Sequence, residues 1–170
     1  MIGLAVIILG TAVEVITKGM DIHAIGAPYN IYVAFIFASL LIFLRISYRK
    51  RDFVVWMSSV PAAISAIFLF AALVFLLGFI PQETLHATKI YKLTGLSHLK
   101  TSWPFLFIQV YFLTILGMVT LRRIIPLKFK NIGFFLNHFG LWLILLAGCL
   151  GSGDLQRLTI SLLEDRKSVV

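Results

Sequence analysis

Cysteine is almost absent from this sequence, which contains Cys149 and no other thiol. A single cysteine cannot form an internal disulfide, a Cys-x-x-Cys redox pair or the Cys-x-x-Cys-His motif that attaches c-type haem. The chain is therefore predicted to be neither a thiol oxidoreductase nor itself a c-type cytochrome. Cys149 is expected to be a small buried hydrophobe.

Charge is also scarce, since only 13% of the 170 residues are charged and 60% are hydrophobic, with a mean hydropathy of +1.00. A chain of this length cannot hide so much apolar surface in one water-soluble core. The composition predicts an integral membrane protein. The net charge of +8 does not indicate nucleic-acid binding, because the basic residues lie in short gaps between apolar runs.

The apolar runs predict an all-α integral membrane protein with about five transmembrane helices. A spanning helix needs roughly 20 apolar residues, and the first run is the weakest because it is short and contains Glu14. Glu14 lies one helical turn from Lys18, and the two can pair. The five segments are Ile2 to Ile16, Tyr29 to Ile46, Val54 to Ile80, Trp103 to Leu121 and Ile132 to Leu150.

Basic residues predict the orientation, because cytoplasmic loops carry an excess of Lys and Arg. Two clusters fall in alternate gaps, which favours a topology with the N-terminus inside and the C-terminus outside. The outer loops then hold four lysines against eight basic residues inside. The inner clusters are Arg45, Arg49, Lys50, Arg51 and Arg122, Arg123, Lys128, Lys130; the outer lysines are Lys18, Lys89, Lys92 and Lys100.

Beyond Leu150 the composition changes to the polar exit GSGD and then to LQRLTISLL, where apolar and polar residues alternate. A period of two predicts a strand, here the start of an extracytoplasmic β segment. A lone strand is not stable by itself. We therefore expect a larger domain to follow, or a partner to supply the rest of the sheet.

His138 is the prominent candidate for a functional residue, because it lies inside the fifth apolar run. An ionisable side chain in hydrocarbon costs several kcal/mol unless it finds a partner. On a helical wheel it lies in line with Phe134, Trp142 and Cys149, among large apolar side chains. Neutral imidazole is a common axial ligand of haem iron, so His138 is predicted to bind haem through its metal.

The opposite face of the fifth segment is a stripe of small residues, which lets another helix approach closely. We predict helix packing through this stripe, with Gly140 at its centre. Its members are Gly133, Gly140, Ala147 and Gly151, with Gly148 beside them.

Plainer interpretations of the histidines are open. Residue type equally allows His138 to be only an interhelical hydrogen-bond partner, for example of Gln109 or Thr114. The other three histidines fall in predicted outer loops, where most histidines are only solvated. These three are His23, His86 and His98.

Three stretches of the chain follow one another in a recognisable order: VVWMSSVPAAISAIFLFAALVFLLGFIPQ, SWPFLFIQVYFLTILGMVTLRR and FFLNHFGLWLILLAGCLGSGD. Together they resemble the amino-terminal membrane part of the CcsB (ResB) family of system II cytochrome c biogenesis, from about Val54 to Ile160. The most specific element is His138-Phe139-Gly140, followed by the glycine-rich turn. The resemblance implies that His138 matches the family's transmembrane histidine, implicated in haem ligation.

The resemblance divides the chain into residues 1–52, two additional N-terminal helices; 53–152, a three-helix CcsB-like unit; and 153–170, the start of an extracytoplasmic segment. It implies a multi-pass protein of the bacterial inner membrane. The tryptophan-rich haem-handling segment of the CcsA partner is absent, as is the family's large extracytoplasmic domain. The implied role is a non-catalytic subunit that binds CcsA, shares a transient haem with it, and meets apocytochrome c only indirectly.

Two other classes compete with this interpretation. One is a structural multi-helix subunit of another respiratory or transport complex, without haem. The weaker one is an autonomous membrane enzyme, because paired intramembrane carboxylates, a His-x-x-x-His cluster and a nucleophile with a spaced base are all missing from the sequence.

Overall fold

A computed structural model describes residues 2–17, 19–20, 26–82, 89–126 and 128–154. The regular secondary structure of this described part is all helical, with no strand. Short 3₁₀ turns cover Leu96–Thr101, Phe129–Asn131 and Gly151–Asp154. The α-helices are α1 Ile2–Thr17, α2 Tyr29–Ser47, α3 Asp52–Met57, α4 Val60–Phe79, α5 Lys89–Leu93, α6 Trp103–Ile124 and α7 Ile132–Leu150.

Four of these helices, α2, α4, α6 and α7, are long and apolar enough to cross a membrane. In hydrocarbon every backbone polar group must be satisfied within the segment, and continuous helices achieve this. The all-helical fold of a multi-pass membrane protein agrees with the prediction. Helix α1 has 16 residues, about 24 Å at 1.5 Å per residue, so four crossings rather than five meet the length of a full span.

The predicted third segment, Val54 to Ile80, is wrong as one continuous helix. The structure divides it into α3 and α4 at Ser58 and Ser59. Ser59 is the N-cap of α4, and its hydroxyl accepts a hydrogen bond from the Ala62 backbone N–H at 3.4 Å. Pro61 lies in the first turn of α4, where its missing N–H costs nothing. Pro61 therefore starts a helix and does not kink one.

Helix α6 lies at the centre of the bundle, with α1, α2, α4 and α7 packed around it. Half of its membrane-length stretch is buried inside the bundle, whereas only 11 to 17% is buried in the other three spans. Interhelical hydrogen bonds reach it from two sides: Trp142 Nε1 donates to the Leu113 carbonyl at 2.9 Å, and Ser65 and Tyr111 share a hydroxyl contact of 3.1 Å. Each neighbour is thus oriented by its contact with α6.

The two ends of the bundle differ in charge. Arg122 donates to the Ser58 carbonyl at 2.9 Å, which brings the second basic cluster to the same end as the α2–α3 turn and its basic cluster. At the opposite end, Asp154 accepts hydrogen bonds from the Ala27 backbone and the Asn30 side chain. Asp154 therefore holds the start of α2 against the end of α7.

Some predicted features fall outside the described residues. The predicted β segment, with its alternating stretch LQRLTISLL, lies in residues 155–170. Lys18, His23 and His86 lie outside as well. The extracytoplasmic strand and the Glu14–Lys18 pair therefore stay predictions.

Candidate functional site

His138 lies on α7, near the basic end of the bundle, and is half buried. Its Nδ1 is 3.0 Å from the carbonyl oxygen of Phe134, one turn earlier on the same helix. A backbone carbonyl only accepts, so Nδ1 carries the ring proton, and Nε2 of the neutral imidazole holds a free lone pair. Nε2 forms no hydrogen bond with any residue in the described part of the chain.

Aromatic and cationic groups surround this imidazole. The Phe134 ring stacks on it, with the centroids 3.8 Å apart. The guanidinium carbon of Arg123 lies 4.3 Å from the Phe134 centroid. The site therefore combines a free imidazole nitrogen, a flat apolar surface and a positive charge one ring away.

The structure does not contain a hydrogen bond from His138 to Gln109 or Thr114, the two partners that the alternative interpretation suggests. Gln109 donates to the Leu145 carbonyl at 3.2 Å, and Thr114 donates to Val110 of its own helix at 2.7 Å. Both candidate partners are thus engaged elsewhere. His138 bonds within α7 and, among the described residues, to no other helix.

The glycines of the small-residue stripe of α7 have open space in front of them in the described part of the protein. A Cβ atom placed on any of its four glycines would meet nothing within 4 Å in the described part of the protein. These glycines are Gly133, Gly140, Gly148 and Gly151. Packing through the stripe stays a prediction about a partner.

A second cluster, formed by Glu14, His98 and Trp103, lies at the opposite end of the bundle. The Glu14 side chain is completely buried, although it extends from the apolar helix α1. Its Oε1 is 2.6 Å from His98 Nε2, and its Oε2 accepts the Trp103 backbone N–H at 2.9 Å. An ionised carboxylate only accepts, so His98 Nε2 carries the proton in this pair.

The Glu14 carboxylate also acts as a cap for α6. Trp103 is the first residue of α6, and the N-cap Ser102 makes no side-chain capping bond. The first N–H groups of a helix have no intrahelical acceptor and carry a partial positive charge. Glu14 supplies both an acceptor and a negative charge from another helix. A buried carboxylate is tolerable here because both of its oxygens are hydrogen bonded.

Two glycines allow the backbone to close over Glu14. Gly95 has φ +75°, and a Cβ there would lie 3.0 Å from Glu14 Cδ and 2.8 Å from the Ser102 Cβ. Gly19 has φ +110° beside the His98 ring. Only glycine adopts these conformations without strain, so both turns next to the cluster depend on it.

The prediction that His98 is only solvated is therefore wrong. His98 does lie in the connection between α4 and α6, with 29% of its side chain exposed, but it is paired with Glu14. A signal existed in the sequence: a carboxylate in an apolar helix requires a partner. That His98 is such a partner is visible only in the three-dimensional structure.

Comparison with family models, curated proteins and solved structures finds no match to this chain. The assignment of function therefore depends on the residues and their geometry. Among the described residues no group of three or more His, Cys, Asp or Glu side chains converges. His138 would thus act as a single ligand to a metal whose other ligand comes from elsewhere.

Proposed function

We propose that this chain is a membrane subunit of a cytochrome c biogenesis complex of the CcsB type. In this proposal His138 supplies one axial ligand to a haem shared with a CcsA-type partner. The observation that carries the proposal is the hydrogen bond from His138 Nδ1 to the Phe134 carbonyl. Histidines that bind metals usually donate their second ring N–H to such an acceptor, which orients the ring and leaves Nε2 for the metal.

The surroundings of His138 fit one face of a haem. The macrocycle is flat and apolar, and Phe134, stacked on the imidazole, places an apolar aromatic group beside the ligand. Arg123 offers a charge that suits the propionate carboxylates. When bound, haem would supply the iron to which Nε2 ligates. The chain's own residues position the imidazole and keep its Nδ1 proton on the Phe134 carbonyl.

The proposal includes the orientation and the cellular place that the family resemblance implies. The basic end of the bundle faces the cytoplasm, by the excess of Lys and Arg there. The chain then lies in the bacterial inner membrane with its N-terminus inside, its C-terminus outside, α1 as a fifth crossing and an extracytoplasmic β segment after residue 154. The thioether chemistry belongs to the partner, so this subunit is a scaffold and ligand donor.

The test is an absorption spectrum of the complex, purified after co-expression with a CcsA-type partner. His138→Ala should lower the Soret absorbance per protein by more than half, because one axial ligand is lost while α7 is unchanged. Maturation of c-type cytochromes should fall with it. Added imidazole should restore part of both, since it can occupy the vacated coordination position.

Two control variants accompany this measurement. Asn137→Ala alters an exposed neighbour on the same helix and should leave the spectrum unchanged. His98→Gln removes the other described histidine, and should affect stability without altering haem per folded protein. An unchanged Soret band in His138→Ala, with normal cytochrome maturation, would refute the haem-ligand role and favour the structural subunit.

A further inference from the structure

An apolar cavity of about 270 Å³ lies between α2, α6 and α7, near the basic end of the bundle. Ala38 and Leu41 line it from α2, and Phe139 lines it from α7. An engineered apolar cavity of roughly 150 Å³ already holds benzene. The space is therefore large enough for a stretch of hydrocarbon chain.

The walls of this cavity present only hydrocarbon and aromatic surface. Two of its side chains carry hydrogen-bond donors, and both donors are directed away: Thr120 to the Leu116 carbonyl at 2.7 Å, and Trp142 to the Leu113 carbonyl at 2.9 Å. A polar occupant would find no partner there. The cavity suits an alkyl chain.

Arginines gather at the rim of the same cavity. Arg45 follows the lining residue Leu41 by one helical turn on the same face of α2. Arg49 comes four residues later, in the turn after α2, and Arg122 directly follows the lining residue Leu121 on α6 and also donates to the Ser58 carbonyl. Arg45 is half buried and makes no hydrogen bond or ion pair within the described ranges. The rim arginines are Arg45, Arg49 and Arg122.

Like charges brought together are unfavourable unless an anion neutralises them. None of the three rim arginines has a carboxylate within ion-pair distance among the residues that the structure describes. A phosphate beside an alkyl chain satisfies both halves of this arrangement. Basic pockets between transmembrane helices are known to bind anionic lipid head groups.

We propose that this is a binding site for an anionic phospholipid, with the phosphate on the rim arginines and one acyl chain in the cavity. The cavity is lined by α7 side chains other than His138, and the site does not depend on haem. Helix α2 contacts α6 over a short length, and the bound lipid adds a second link from α2 to α6 and α7.

The experiment is native mass spectrometry of the purified protein, titrated with phosphatidylglycerol or with phosphatidylcholine of the same acyl chains. Phosphatidylglycerol should be retained more strongly. Arg45→Gln should weaken its retention roughly fivefold, the effect of one basic residue at a lipid surface. Ala38→Phe fills the cavity and should weaken the retention of both lipids. Glycerol phosphate, which lacks acyl chains, should bind weakly to every variant.

Lys130→Gln is the matched control, since it removes one exposed positive charge from the same end of the bundle. Retention within twofold of the original protein is expected for it. An equal loss in Lys130→Gln and Arg45→Gln would overturn the site in favour of general surface attraction. Unchanged retention in Ala38→Phe, or a second protein chain in place of lipid, would overturn it as well. If Arg45→Gln does not fold, Arg49→Gln, outside the helix, tests the same charge.

Discussion

Two histidines of this chain use their ring nitrogens in opposite ways. His138 donates from Nδ1 to its own helix and leaves Nε2 free, whereas His98 directs Nε2 to the buried Glu14 carboxylate. The first arrangement suits ligation of a metal. The second joins the end of α1 to the connection before α6, and the same carboxylate caps α6 through Trp103. The two histidines therefore differ in role because of the group that each ring contacts, and not because of their residue type.

At this scale we predict that Glu14→Ala lowers the free energy of unfolding by about 1.5–3 kcal/mol, the usual contribution of hydrogen bonds to a charged group. Glu14→Gln should cost less, because an amide of the same length can still accept from Trp103 N–H and contact His98. Thermal or denaturant unfolding of the purified protein in detergent measures both.

A double-mutant cycle between Glu14→Gln and His98→Gln provides the control for that prediction. Residues in contact couple by 0.5–3 kcal/mol, whereas distant pairs add within about 0.5 kcal/mol. His138→Ala should be additive with Glu14→Gln, since the two sites lie at opposite ends. Additive effects for Glu14 and His98 would contradict the pairing.

At the scale of helices, neighbouring helices come closest where a glycine of one faces the other. A Cβ on Gly10 would lie 2.7 Å from the Pro104 Cα, and one on Gly117 would lie 2.7 Å from the Leu41 side chain. The helices α1 and α6, and α2 and α6, approach through these two positions. The more conspicuous glycines of α7 have open space in front of them.

We therefore predict that Gly10→Leu destabilises the isolated protein by about 1–3 kcal/mol, since overpacking forces the two backbones apart. Gly140→Leu should leave the stability of the isolated protein unchanged within about 0.5 kcal/mol. The measurement is the unfolding midpoint in detergent, with Leu143→Ala as a substitution outside the stripe.

In the assembled complex we expect Gly140→Leu to affect binding of a partner. If the stripe packs against a partner helix, this variant should reduce co-purification of that partner more than Leu143→Ala does. Equal co-purification for both would show that the stripe faces lipid. A loss of stability in isolated Gly140→Leu would instead contradict the open space seen in front of it.

At the scale of the whole molecule, both basic clusters lie at one end of the bundle, because Arg122 donates to the carbonyl of Ser58, which follows the α2–α3 turn. This agrees with the alternating helices that the charge distribution requires. It does not determine which end is cytoplasmic, because the bundle has the same contacts in either orientation.

Reporter fusions test the orientation. Fusions after Arg51 and after Lys130 should report cytoplasm, and fusions after Lys92 and Val170 should report the outside. The reverse pattern would contradict the proposed orientation. A tag at the N-terminus should report cytoplasm if α1 crosses the membrane; an outside signal there, with the fusions unchanged, would mean that the chain crosses four times and α1 does not span.

The membrane class, the helical content and the approximate bounds of four spans follow from the sequence alone. Runs of about 20 apolar residues cannot leave their backbone groups unsatisfied in lipid, so they form helices whatever lies beside them. His138 and Glu14 are conspicuous for the same reason, as ionisable groups in apolar runs. The break at Ser58 and Ser59 is not visible in hydropathy, because both sides of it are apolar.

Only the tertiary structure decided that α6 is central, that Glu14 meets His98, and that Gly10 and Gly117 lie where neighbouring helices approach α6 or are approached by it. Helix α4 is the most apolar span, with a mean hydropathy of 2.6, yet only 17% of its membrane-length stretch is buried. Helix α6 has a lower mean hydropathy of 1.9, and 50% of its stretch is buried. Lipid is as apolar as a helix surface, so hydropathy does not determine which helix is enclosed. Shape and hydrogen-bond geometry between distant segments decide it, and neither can be read from local sequence.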